Sequence, residues 1–280
     1  MITSLEQLVP AAQRAVRGQP LVMAVAQAND PHVEEAVAEA ERLGLVRALR
    51  ITREDPAEAA REAVAAVRSG QAQLLMKGLL QTAEILRAVL DRDTGLRTGR
   101  ALSHACVVQV PGFPRLLHIS DIALNIRPDL ARKADILRNQ VAVARVLGLA
   151  RPKVAVIAAL EKVNPDMPAT VDARALQEMA ERGEFGDCDV QGPLALDLAL
   201  SPEAGAVKGV TGPVVGQADV LIMPDLETGN VLYKALIHLA GASSAGIVVG
   251  ARCPIVLLSR SDPAPFKVNS IALAVLAAFA

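Results

Sequence analysis

Aromatic side chains are almost missing from this chain of 280 residues, which has no Trp, one Tyr and four Phe. Base-stacking platforms and aromatic cages need more than that. No charge of one sign dominates. Lys and Arg number 29 against 30 Asp and Glu, a formal net charge of −1, without the basic footprint of a nucleic-acid binder. Cysteine is scarce and scattered, at Cys106, Cys188 and Cys253, with no CxxC pair. That pattern builds neither a disulfide framework nor a thiolate zinc site, and it points to a cytoplasmic setting. No apolar run reaches the ~18 residues of a membrane helix. The nearest approach, Ala240 to Leu258, is interrupted by Arg252, Pro254 and several Gly and Ser. Met1 to Gln7 has no basic stretch leading into apolar residues, so no signal peptide is expected.

Several chemical signatures are also absent. No GxGxxG follows a strand, so the usual dinucleotide fingerprint is missing. The glycine-rich run Lys208 to Gly216 lacks the Gly-Lys-Ser/Thr ending of a phosphate loop and reads as a turn. No GxSxG elbow anchors a hydrolase triad. His32, His104, His118 and His238 have no metal-ligand spacing. Asp187-Cys188-Asp189 reads as a solvated loop. No metal and no cofactor is expected.

What remains is a chain that is 52% hydrophobic, ample for a core built from Ala, Val, Leu and Ile. Short apolar runs alternate with helical ones. Leu21 to Ala26 reads as a strand; Asp30-Pro31 then caps a helix with the stripe Val33, Ala36, Val37, Ala40, Leu43, stopped by Gly44. Leu45 to Ile51 is a strand, and Asp55-Pro56-Ala57-Glu58 resembles a capping box opening a helix to Gly70. Leu74 to Met76 is a strand, followed by a helix over Thr82 to Leu90. His104 to Val110 and Leu116 to Ser120 flank Pro111-Gly112-Phe113-Pro114 as a hairpin. A long helix opens at Pro128 and ends by Gly148. Beyond it, Val154 to Leu160 is a strand, Val171 to Arg182 a helix and Pro193 to Leu200 another. Val220 to Met223 is a strand and Val231 to Ala240 a helix. Ile247 to Val249 and Ile255 to Leu258 are strands, and Val268 to Phe279 closes the chain as a helix. Alternating strands and helices imply an α/β protein with mostly parallel sheets covered on both faces. Roughly ten strands are many for one open sheet, so two domains are expected.

In such sheets ligands sit beyond the carboxyl ends of strands, against helix N-termini. Two segments meet that description. Ile255 to Asp262 runs an apolar strand into Ser259, Arg260 and Ser261, short donors and a planar fork suited to a phosphate; a polar loop with a surface ion pair is the alternative. Leu74 to Thr82 ends a strand in Lys77-Gly78 and leads past Thr82, a possible cap, to Arg87; a solvated helix face is the alternative there.

At these residues the chain resembles the phosphate acetyl/butyryltransferase family, and in particular its butyryltransferase-like branch. The resemblance is carried by the run Ala218 to Lys234, which contains Asp225, Thr228-Gly229-Asn230 and Tyr233, and by the run Cys253 to Asp262 with Ser259-Arg260. Leu75-Met76-Lys77-Gly78 and Lys267-Val268-Asn269-Ser270 add to it, over a span from about Gln73 to Ala280. The resemblance implies reversible acyl transfer between coenzyme A, as a substrate, and inorganic phosphate. It implies two α/β domains with the active-site cleft between them: a discontinuous first domain of residues 1–128 plus 247–280, and a second of 129–246 bearing a homodimer interface. The expected partners are acyl-CoA or CoA and phosphate or acyl phosphate, with no nucleic acid and no membrane.

Site residues transfer where motifs match. Ser259 and Arg260 fall on the Ser-Arg that binds the phosphate or acyl-phosphate group. Thr82 and Arg87 match a Thr-x4-Arg element across the same cleft. Lys77 and Gly78 are expected to bind substrate, with a backbone amide near the anion. Asn230 and Tyr233 match a stretch expected to be structural. In the acetyl branch a carboxylate, a proposed base for the CoA thiol, lies seven residues after the serine; here that position is Phe266, and Asp262 is the nearest carboxylate. That departure favours a second reading, a non-catalytic acyl-CoA-sensing domain of the same fold.

Overall fold

The computed structural model describes residues 1–257 and 263–279. The chain divides into two compact units: an outer unit of Ser4–Leu102 and Ser244–Ala280, and an inserted unit of Met1–Thr3 and Ser103–Ser243.

The outer unit opens with α1 (Leu8–Val16), then alternates β1 (Leu21–Ala26), α2 (Pro31–Arg42), β2 (Val46–Ile51), α3 (Pro56–Arg68), β3 (Leu74–Lys77) and α4 (Thr82–Val89). The sequence dictates most of these boundaries. Asp30 caps α2 by accepting from the His32 and Val33 amides, with Pro31 in the first turn. Asp55 caps α3 through the Ala57 amide. Thr82 is not the cap of α4: Gln81 holds that place, its own amide donating to Glu84 Oε2 at 2.7 Å. The expected capping box at Asp55 is only half made, since no reciprocal bond from Glu58 accompanies the Asp55 contact among the described residues. β1 pairs in parallel with β2 on one side and β3 on the other. Right-handed crossovers in opposite directions therefore put α2 and α3 on opposite faces.

The inserted unit follows. β4 (Ser103–Gln109) and β5 (Leu117–Ser120) form the expected antiparallel hairpin, with Val107 opposite His118. Then come α5 (Leu130–Val146), β6 (Lys153–Ile157), α6 (Pro168–Glu181), β7 (Asp189–Leu194), α7 (Leu196–Leu200), α8 (Pro202–Lys208), β8 (Val220–Ile222) and α9 (Leu226–His238). Its strand order is β4-β5-β8-β6-β7, with β5, β8, β6 and β7 parallel. Successive residues alternate between two cores. Ala155, Ile157 and Leu221 pack with Ile119 and Leu198; Val154, Val156, Val220 and Ile222 pack with Leu137 and Leu176. Both faces are buried, as period-two parallel strands under two helical layers require.

The chain returns to the outer unit in β9 (Ser243–Val249), β10 (Ile255–Val256) and α10 (Ala264–Ala277). β10 pairs in parallel with β3 and antiparallel with β9, giving the order β2-β1-β3-β10-β9. α10 packs beside α1 and α2, and α3 beside α4.

Two differences from the sequence reading have plain causes. The first crossing lies between Leu102 and Ser103, not near Pro128, because β5 pairs with β8 and so ties the hairpin to the inserted unit. Pro193 does not open a helix. It lies in β7, at the end of the strand order, where a missing amide is tolerated; the helix behind it shrinks to Leu196–Leu200. Among the described residues no helix is long and apolar enough to cross a membrane.

Candidate active site

Within the outer unit, β1, β2, β3 and β10 run in one direction, so their carboxyl ends share one edge. Backbone bonds seal that edge. Gln27, in the left-handed region at φ +57°, donates its amide to the Ile51 carbonyl at 2.7 Å. Its side-chain amide closes a ring with Arg53, donating to the carbonyl at 3.0 Å and accepting from the amide at 3.1 Å. The Gln27 carbonyl accepts from the Leu79 amide at 2.7 Å, and the Ala26 carbonyl from the Gly78 amide at 2.8 Å.

Gly78 is thus a packing glycine. A Cβ there would stand 2.1 Å from the Gln27 carbonyl oxygen and 2.8 Å from that of Ala26. The expected anion-facing amide at Gly78 is not offered, because that N–H is bonded to Ala26. Lys77 Nζ folds back over its own loop, donating to the carbonyls of Gly78 at 3.2 Å and Leu80 at 3.0 Å. It braces the turn that carries the chain from β3 into α4.

α4 buries Ile85, Ala88 and Val89 and presents Thr82 and Arg87 to solvent. Neither side chain bonds another described residue. Five residues of helix separate them by roughly 140° about the axis, so they sit on different sides of α4. Ser259, Arg260 and Asp262 lie outside the described residues. On the near side of that segment, Ile255 and Val256 are fully buried against β3. On the far side, α10 begins with no side-chain cap, and Lys267, in its first turn, is 4% exposed. The sequence reading noted Lys267 for the resemblance alone.

Other polar positions are structural. Asn230 Nδ2 donates to the Ile122 carbonyl at 3.1 Å, and at Gly229 a Cβ would stand 2.3 Å from the Asp121 carbonyl oxygen. Both hold α9 against the loop after β5. Asp121, which the sequence reading passed over, accepts from the Ala123, Leu124 and Asn125 amides and from Asn125 Nδ2. The Asp-x-x-x-Asn spacing was its signal. His118 is buried on β5 with Gln140 Nε2 3.1 Å from its Nδ1, and burial pushes its pKa down to about 4. His104 lends its carbonyl to Ser120 Oγ at 3.0 Å. Asp189 forms a fork with Arg151, which holds its carboxyl below the ordinary range. None of the three cysteines is in a disulfide, and all three are buried. Burial raises the Cys188 thiol and pushes Cys253 up to about 12. Among the described residues no cluster of His, Cys, Asp and Glu could hold a metal ion.

The chain matches the family model described as phosphate acetyl/butaryl transferase over residues 9–275, which takes the likeness through the first 70 residues as well. It is 44% identical over 279 residues to the phosphate butyryltransferase of Clostridium acetobutylicum, covering 91% of this chain and 93% of that one. It is 43% identical over 291 residues to the phosphate acetyltransferase of Thermotoga maritima, covering 96% and 98%. Among solved structures, a branched-chain phosphotransacylase from Enterococcus faecalis superposes with a TM-score of 0.82 at 34% identity, over 92% of this chain and 99% of that one. An α/β fold matched nearly end to end by these proteins, with the family model spanning residues 9–275, places the chain in the phosphate acetyl/butaryl transferase family.

Proposed function

We propose that the chain is a phosphate acyltransferase that moves a short acyl group reversibly between the sulfur of coenzyme A and inorganic phosphate. The observation that carries this reading is the identity of 43–44% to named phosphate acyltransferases over more than nine-tenths of the chain. In the forward direction a phosphate oxygen attacks the thioester carbonyl, and the C–S bond breaks to release the CoA thiolate. In reverse the thiolate attacks the acyl phosphate and phosphate leaves. The thiol, with a pKa of about 8.5, is a few per cent ionised at neutral pH, so the protein's larger task is alignment and charge. We read the transfer as direct: Cys106, Cys188 and Cys253 are all buried, which disfavours an acyl-cysteine.

The residue roles follow from the motif match. Arg260 neutralises the phosphate, Ser259 donates to it, and Asp262, two residues further along the sequence, binds substrate with them. Arg87 and Thr82 reach the reactants from α4, while Lys77 and Gly78 hold the β3–α4 turn that sets α4 in place. A charge-assisted contact made to the transition state is worth roughly 2–4 kcal/mol. Arg260→Ala is therefore expected to lose at least roughly 100-fold in kcat/KM with its fold intact. Thiol release from acetyl-, propionyl- and butyryl-CoA, with and without phosphate, tests the reaction class. Release that is independent of phosphate for all three would defeat it. Three cysteines outside any disulfide suit a reducing cytoplasm. α9 buries only Gly229 and leaves Val231 67% exposed. We read that helix as the seat of a homodimer contact, which light scattering on the purified protein tests.

A further inference from the structure

Two lysines of the described chain are buried. Lys133, 6% exposed, is answered by Asp172 at 2.7 Å. The side chain of Lys267, a residue 4% exposed, forms no hydrogen bond or ion pair with any described residue. A buried ammonium is tolerated only with a counter-charge, and the first lysine obeys that rule within the protein. The second sits where a ligand can supply the charge.

Its direction is fixed by its neighbours. One turn along α10, the Ser270 hydroxyl accepts from the Gly246 amide at 3.0 Å and donates to the Phe266 carbonyl at 2.8 Å. That face of α10 therefore lies on β9. Lys267, three residues earlier, shares the face. Side chains on a helix lean toward its N-terminus, so the Lys267 stem runs inward and toward the carboxyl edge of β10 and β3. The same turn begins at Pro263, whose carbonyl accepts from the Phe266 and Lys267 amides at 3.0 and 3.4 Å, and the positive end of the 14-residue helix lies there. A buried cation without a side-chain partner among the described residues, at the positive end of a helix, suits one anion.

We propose that Lys267 is a substrate-binding residue whose ammonium pairs with a phosphoryl oxygen of inorganic phosphate or of the acyl phosphate. The inference rests on the reading that phosphate is held at this strand edge. It adds to Arg87 and Arg260 a cation withdrawn from water and so little screened.

The test is Lys267→Met, which keeps the stem and removes the charge. Its folded state should be at least as heat-stable as wild type without ligand, since an unpaired buried charge is gone. The KM for phosphate should rise at least about tenfold, the loss of one charge-assisted bond, while the KM for acyl-CoA moves far less. Inorganic phosphate should raise the wild-type Tm in a dose-dependent way and leave that of Lys267→Met unmoved. Should the variant not fold, wild-type protein carrying ¹³C-lysine is titrated with inorganic phosphate. The lysine signal missing in Lys267→Arg must then shift and saturate at the kinetic phosphate concentration; a signal that stays put overturns the assignment. A Lys267→Met enzyme with wild-type phosphate KM and wild-type phosphate-induced stabilisation also overturns it. Arg260→Ala run in parallel separates the causes. If that variant alone loses its response to phosphate, only the lysine assignment falls; if neither does, the location of the phosphate site falls with it.

Discussion

Gly78 and Gln27 meet backbone to backbone, so closely that a methyl group on Gly78 would stand 2.1 Å from the Gln27 carbonyl oxygen. No flexible side chain is there to yield; β1 and the β3–α4 turn must part. Gly78→Ala should cost about 2–3 kcal/mol, the range for overpacking a rigid site, and lower kcat/KM by displacing α4. Gly70, at φ +82° with open space around its Cβ position, is the control. Alanine there meets only conformational strain, about 1 kcal/mol. Urea midpoints for the two variants give the comparison, and equal midpoints would show the edge to be softer than its hydrogen bonds imply.

Arg87 and Thr82 are solvent-exposed, and their side chains bond no other described residue, so neither side chain stabilises the fold through a hydrogen bond or ion pair there. Arg87→Ala and Thr82→Ala should therefore keep the wild-type Tm within about a degree, as surface substitutions usually do. Activity should separate them. Arg87→Ala is expected to lose roughly 100-fold in kcat/KM and Thr82→Ala roughly tenfold. Arg87→Lys should recover only part of the loss, because an ammonium cannot make two parallel bonds to a phosphoryl or carbonyl group. Wild-type kinetics in Arg87→Ala would return this residue to the solvated helix face it otherwise resembles.

Much of this was legible in the residues themselves. Asp30-Pro31 and Asp55-Pro56 mark helix starts because short carboxylates and proline satisfy the first turn locally. The hairpin at Pro111 to Pro114 reads from turn residues between apolar runs. What was hidden depends on pairing at a distance. The strand over Asp189–Leu194 contains Gly192 and Pro193, poor strand formers, and exists because it docks beside β6. The first unit boundary depends on β5 finding β8 across α5 to α8. At the candidate site, residue types were readable but their commitments were not. Gly78 looked like an amide donor until its partner Ala26 was placed, and Lys267 carried no sign of burial in its neighbours Phe266 and Val268.

The cysteines give a chemical test of direct transfer. Cys106 and Cys253 are 1% and 6% exposed, and burial pushes the Cys253 thiol up to about 12. Thiolate is the reactive form, so native protein at neutral pH should show no fast-reacting thiol with Ellman's reagent and three after urea unfolding. Brief iodoacetamide treatment should leave turnover intact. Inactivation that tracks alkylation of one cysteine, with protection by acyl-CoA, would point to an acyl-cysteine intermediate instead.

His118 makes stability depend on pH in a defined direction. It is 1% exposed on β5, beside Gln140, and burial lowers its pKa from 6.5 to about 4. Between those values the unfolded chain holds the proton and the folded chain does not, so stability is complete above about 6.5 and is lost as pH falls toward 4. The full loss is about 3 kcal/mol, and about 2 kcal/mol of it falls between pH 6.5 and 5. His118→Gln keeps a polar group beside Gln140 and cannot take the proton. It should lower stability at pH 7, where a repacked core pays without gain, and should flatten the decline below 6.5. Urea unfolding of both proteins at pH 7, 6 and 5 gives the two slopes. Parallel slopes would mean that the decline comes from other groups and that this imidazole takes its proton equally in the folded and unfolded chain.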